Sequence, residues 1–137
     1  MRIAVIPARA SSKRIPGKNI RKFLGKPMIS HSISTALKSK LFDEVLVSTD
    51  SPEVADIARE HGALTPFLRP SKISDDYSGI DRVMAHAVQW MIDKKWRIEA
   101  TCCIYATAPF LKTEDLNIGL KLFKSGDWDY SCGVLEY

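Results

Sequence analysis

Apolar residues along this chain follow two rhythms. Short, nearly unbroken runs rich in Ile and Val occur at residues 3–7, 44–49, 101–106 and 130–135, with a less regular one at 63–67. Uninterrupted runs of this kind suit strands covered on both faces of a parallel sheet. Between them apolar positions recur every three or four residues, over 27–40, 52–60, 80–94 and 113–124. In the first of these, Met28, Ile29, Ile33, Ala36 and Leu37 fall on one helical stripe behind Pro27, which suits a first-turn position. The last two carry acids near their N-terminal ends, where the helix dipole favours negative charge. Strands alternating with helices predict an α/β fold built on a mainly parallel sheet. No repeat, low-complexity tract or Gly/Ser/Pro-rich linker divides the 137 residues, which suffice for one core.

Charge sharpens the picture because it is segregated. The chain holds 20 Lys+Arg against 16 Asp+Glu, for a net charge of +4. Ten of the cations, and none of the acids, lie in residues 1–42. A basic front on an otherwise acidic domain points to an anionic ligand held near the N-terminus, whether nucleotide phosphates, an acidic sugar or nucleic acid. The three cysteines include the neighbours Cys102 and Cys103 and form no CxxC pair, so a reducing, cytoplasmic setting is expected, with neither zinc nor a disulfide framework. The apolar stretch at the N-terminus is too short for a signal peptide or a membrane span.

Open parallel sheets bind ligands beyond the carboxyl ends of their strands, which directs attention to the loop leaving the first one. That loop reads Ala8-Arg9-Ala10-Ser11-Ser12-Lys13-Arg14-Ile15-Pro16-Gly17-Lys18-Asn19. Its cations, hydroxyls and small residues, with no competing acid, are the parts of a triphosphate cradle. Neither GxxxxGK[ST] nor GxGxxG occurs in it, so a P-loop and a dinucleotide fold are not indicated. A structural turn with exposed basic residues is the alternative.

The segment from Ile6 to Ile20, containing this loop, resembles the nucleotide-binding signature of the acylneuraminate cytidylyltransferases. The resemblance continues through Gly25-Lys26-Pro27, the run from Phe42 to Asp50, Phe67-Leu68-Arg69-Pro70 with Ser74-Asp75-Asp76, and the run from Cys103 to Leu111. Tyr105-Ala106-Thr107-Ala108-Pro109 stands where sialic acid enzymes usually have Gln-Pro-Thr-Ser-Pro, and it is more similar to the pseudaminic acid type. Ala10-Ser11 replaces the Gly-Gly of many members.

The resemblance implies a Rossmann-like, three-layer nucleotide-diphospho-sugar transferase fold whose C-terminal part is missing, with residues 1–137 as the N-terminal nucleotide-binding portion of a single domain. It implies transfer of CMP from CTP to an acidic nine-carbon sugar, with pseudaminic acid preferred over sialic acid. It places Arg9, Lys13 and Lys18 at the transferring and departing phosphates, where fixed cations offset developing charge. Ala8, Ser11, Arg14, Asn19, Arg69, Asp76 and Ser78 are the implied nucleotide contacts, and Tyr105 and Thr107 the implied sugar contacts. A capped turn is the alternative for Asp76 and Ser78. The family's Mg²⁺ ligands and its subunit-pairing segment are expected beyond residue 137, so the parent protein is expected to be a homodimer.

Other residues have plainer readings. Asp50 suits either a ligand contact or a helix cap before Pro52. Asp127-Trp128-Asp129 has the spacing of a metal-binding Asp-x-Asp but precedes its strand, so no metal ligand is assigned. Cys102 and Cys103 are expected in the core, and His31, His61 and His86 on helix surfaces or in the core. A CMP-Kdo synthetase-like enzyme and a non-catalytic nucleotide-binding module remain alternatives. A nucleic-acid-binding protein is disfavoured by the absence of a recognised motif and of clustered aromatics for stacking.

Overall fold

The computed structural model describes residues 1–12, 14–75 and 78–134. Three parallel strands form its sheet: β1 (Arg2–Pro7) lies at the centre, flanked by β4 (Glu44–Ser48) and β5 (Ala100–Cys103). A two-stranded antiparallel hairpin, β2 (Lys22–Phe23) and β3 (Lys26–Pro27), precedes helix α1 (Met28–Ser39). Helices α2 (Pro52–Glu60), α3 (Ile80–Asp93) and α4 (Thr113–Lys124) complete the chain. The four helices match the predicted periodicity closely.

Central placement explains the apolar run of β1. Ile3, Ala4, Val5 and Ile6 are all fully buried, and successive side chains take opposite faces. Ala4 and Ile6, with Val45 and Val47, meet Ile29, Ile33 and Ala36 of α1, Val54 and Ala58 of α2, and Leu116 of α4. Ile3 and Val5, with Leu46, meet Ala87 and Met91 of α3, extended by Phe67, Trp90 and Trp96. Helices therefore cover both faces, which gives the three layers expected.

Three strand expectations need correction. The expected strand at 63–67 contributes only an isolated parallel bridge beside β4, Leu46 to Leu64, with a second just past it, Thr49 to Leu68, so this is a broken strand. The second flanking strand, β5, stops at Cys103 rather than 106, although the Ile104 amide still donates to the Val5 carbonyl (3.0 Å). The chain is then diverted, since the Tyr105 carbonyl accepts from the Ser32 hydroxyl of α1 at 2.8 Å. Residues 130–134 have no regular structure and are exposed, and residue 135 lies outside the described residues. Cys102 is half-buried and Cys103 exposed, because β5 is an edge strand and α3 covers the sheet over β1 and β4. Burial pushes the Cys102 thiol up to about 11, with Cys103 adding to the rise.

Candidate functional site

The carboxyl ends of the parallel strands β1, β4 and β5 lie on one side of the sheet, and the loop between β1 and β2 is bonded there to the chain leaving β4. Ala8 is buried, its amide donating to the Ser48 carbonyl (2.9 Å), so the β1–β4 ladder continues one residue past the strand. The Ala10 amide donates to Asp50 Oδ1 at 2.8 Å. Asn19 is buried, and its Nδ2 donates to the Arg9 carbonyl at 2.9 Å, closing the loop on itself. The Asn19 carbonyl accepts from the Ile29 amide (2.8 Å) and the Arg21 carbonyl from the Met28 amide (2.9 Å), which fixes the far end to α1. Gly17 turns the chain at φ 62°, a left-handed conformation, and its carbonyl accepts from the Ile20 and Arg21 amides. Arg9 and Lys18 are half-buried along this frame, while Ser11 and Arg14 are exposed at its rim.

The facing wall comes from residues 63–70. The Arg69 amide donates to the Thr49 carbonyl at 2.7 Å, which laces this segment to the end of β4. Its side chain is buried, and Nε donates to the Ser74 hydroxyl at 3.1 Å; that hydroxyl in turn donates to the Pro70 carbonyl at 2.9 Å. Burial is the main cause holding Arg69 below its ordinary pKa; Asp50 opposes the shift and Arg9 adds to it. Asp50 therefore acts electrostatically on the wall while bonding the loop. His86 of α3 lies beside this group, its ring edge-on to Phe67 with centroids 4.8 Å apart. Its Nδ1 is buried without a hydrogen-bond partner, and burial, then Arg69, hold its pKa below the usual histidine value.

The remaining expected residues are less gathered. Ser78 is half-buried, and its amide donates to Asp75 Oδ1 at 2.7 Å, the geometry of a capped turn. Tyr105 and Thr107 are exposed beyond β5. Lys13 and Asp76 lie outside the described residues. Asp50 is not a helix cap, since Ser51 caps α2 by accepting from the Val54 amide at 3.3 Å. Ser74, which lies in the Ser74-Asp75-Asp76 segment, and His86, expected only on a helix surface or in the core, join the facing wall beside Arg69 and Phe67 without a site role having been expected of either. Asp127 and Asp129 are exposed, and among the described residues no group of three His, Cys, Asp or Glu gathers to hold a metal ion. A cavity of about 100 Å³ lies between the loop and α2, lined by Arg9, Asn19, Ser51 and Glu53 among others. It is too small for a nucleotide, so the open cleft between loop and wall is the candidate site.

Comparison with known proteins decides the family. A family model described as Cytidylyltransferase matches residues 3–132. The chain belongs to the cytidylyltransferase family. A pseudaminic acid cytidylyltransferase of Campylobacter jejuni is 44% identical over 135 residues, covering 98% of this chain and 58% of that one. A CMP-N,N'-diacetyllegionaminic acid synthase of Legionella pneumophila is 39% identical, covering 89% of this chain and 53% of the other. This cytidylyltransferase chain thus spans little more than half the length of these relatives. Among solved structures, a CMP:2-keto-3-deoxy-manno-octonic acid synthetase complexed with CTP superposes with a TM-score of 0.71 at 30% identity, covering 90% of this chain and 47% of that one. A cytidylyltransferase from Leptospira borgpetersenii has a TM-score of 0.67 at 18% identity over 92% of this chain and 50% of its own, a likeness of fold.

Proposed function

We propose that residues 1–137 are the nucleotide-binding portion of a single-domain cytidylyltransferase that transfers CMP from CTP to a nonulosonic acid, releasing pyrophosphate. Pseudaminic acid is the preferred acceptor and sialic acid the next. The observation that carries this reading is the acid-free basic loop, framed by Asp50, Asn19 and Ile29 at the carboxyl end of β1, in a chain 44% identical to a pseudaminic acid cytidylyltransferase. The 30% identical CTP-bound structure supports a CMP-Kdo synthetase-like enzyme as a second reading.

In the proposed reaction the anomeric hydroxyl of the sugar attacks the α-phosphorus of CTP. A new P–O bond forms as the bond to the bridging oxygen of pyrophosphate breaks and the hydroxyl proton is released to solvent, with no covalent enzyme intermediate. The chain's own contribution is positioning and charge. Arg9, Lys13 and Lys18 stabilise negative charge on the α-phosphate and the departing pyrophosphate. Ala8, Ser11, Arg14 and Asn19 shape the cradle, with Ala8 and Asn19 acting through the loop's frame. Arg69, Asp76 and Ser78 form the cytidine side, and Tyr105 and Thr107 face the sugar. Mg²⁺ is the proposed cofactor; when bound it would neutralise phosphate charge. The described residues do not assemble a site for it.

CTP and the sugar acid are the proposed partners, with no role for nucleic acid or a membrane, and the full-length protein is proposed to be a homodimer acting in the cytoplasm. No helix among the described residues is long and apolar enough to cross a membrane. The test is pyrophosphate release by the full-length protein with CTP and Mg²⁺, offering pseudaminic acid, sialic acid and Kdo in turn. Turnover with pseudaminic acid above the other two is expected. Turnover with Kdo alone would install the second reading, and no turnover with any acceptor would overturn both.

A further inference from the structure

We propose that Asp50 is a positioning residue that holds the two walls of the nucleotide cleft in register, bonding the cradle at Ala10 and balancing the charge of Arg69 on the facing wall. The inference rests on the proposed nucleotide site and assigns a residue to which the resemblance gives no defined role.

Asp50 leaves the sheet at the carboxyl end of β4. It is the second residue past the end of β4, on the strand next to the one that launches the cradle. One residue earlier, Thr49 accepts the Arg69 amide at 2.7 Å, so strand end and facing wall are joined by backbone. On the other side, Asp50 Oδ1 takes the Ala10 amide at 2.8 Å, in the middle of the small-residue turn of the loop. The helix-capping role that would otherwise account for an Asp before Pro52 belongs to Ser51. Asp50 is thus committed to the cleft rather than to α2.

Charge gives the second half. Arg9 and Arg69 act unfavourably on each other from opposite walls, and Arg69 is also largely withdrawn from water. Asp50 is the favourable electrostatic partner of Arg69. A carboxylate that takes the Ala10 amide and offsets the charge of Arg69 lets both walls stay close before an anionic ligand arrives. Its cost is repulsion of the incoming phosphates, so it should trade bare phosphate affinity for a fixed orientation of Arg69. That trade separates a positioning role from a merely structural one. A residue needed only for folding would weaken every ligand alike when changed.

The Asn and Ala variants separate the two halves. Asp50→Asn keeps an oxygen for the Ala10 amide and removes the charge, whereas Asp50→Ala removes both. Calorimetric titration with CTP, UTP and inorganic tripolyphosphate, on the wild-type protein and each variant, reads the outcome. Asp50→Asn is expected to lower the preference for CTP over UTP at least tenfold while binding tripolyphosphate as well as wild type or better. Asp50→Ala is expected to weaken all three ligands. Hydrogen exchange at the Ala10 amide should stay slow in Asp50→Asn and become fast in Asp50→Ala, a readout that needs no ligand. An Asp50→Asn protein that keeps its CTP preference, or that loses CTP and tripolyphosphate in equal proportion, would overturn the proposal, as would unchanged Ala10 exchange in Asp50→Ala. A wild-type protein with no preference for CTP would instead overturn the underlying nucleotide site.

Discussion

At the scale of single residues, the basic front segment divides into cations with a frame behind them and cations without one. Lys18 follows the left-handed Gly17 and precedes the buried Asn19, so its backbone is held on both sides. Lys124, at the end of α4, meets Glu99 at 2.6 Å on the surface, where an ion pair contributes little. Two unit charges about 4 Å apart interact by roughly 4 kcal/mol at an effective dielectric near 20, and by about 1 kcal/mol in bulk water. A framed, half-buried cation therefore has several times the leverage of a solvated one. Lys18→Ala is expected to weaken CTP binding at least tenfold and Lys124→Ala to leave it unchanged, by calorimetric titration; equal losses would remove Lys18 from the cradle.

At the scale of elements, the strands and helices differ in how deeply each commits its apolar face. Leu46 of β4 is fully buried and meets the face covered by α3, whereas Leu122 of α4 is 56% exposed and α4 has no fully buried residue. Leu46→Ala should cost about 2–5 kcal/mol, since the transfer energy of the lost atoms is joined by that of the cavity left behind. Leu122→Ala should stay within about 0.5 kcal/mol. Urea unfolding of the two variants measures both, and similar midpoints would contradict the layered core.

The same contrast explains what could be read in advance. The helices were legible because a 3.6-residue period over a dozen positions resists accident, and β1 and β4 because both faces are covered. Residues 63–67 were ambiguous since strand pairing there is carried by a few backbone bonds beside β4, which leave no mark on side-chain pattern. Residues 130–134 find no partner strand among the described residues, and composition alone does not supply one. In the cleft, the cradle residues announced themselves by charge. Asp50 did not, because an Asp before a Pro has a common local explanation, and only the tertiary meeting with Ala10 and Arg69 distinguishes the rarer one.

For the whole molecule, stability should depend on pH through the wall of the cleft. His86 titrates below its ordinary value in the folded chain, because burial and Arg69 both oppose its charged form. Its folded-state pKa lies below the unfolded one, so its linkage costs nothing above the unfolded value of roughly 6.5. The penalty grows as pH falls from there toward the folded value. Urea midpoints are expected to drop between pH 7.5 and 5.5, and the drop should shrink in His86→Gln; an unchanged slope would show that other groups set the acid limb.

The two walls also differ in what they are attached to. The cradle continues into α1 through Asn19–Ile29 and Arg21–Met28, while Arg69 is laced to Thr49 at the end of β4. One side of the cleft therefore travels with a helix and the other with the sheet. A ligand that touches both would tie α1 to the sheet, so the first sign of occupancy should be a slowing of hydrogen exchange at the Met28 and Ile29 amides, which carry the bonds from α1 to the cradle.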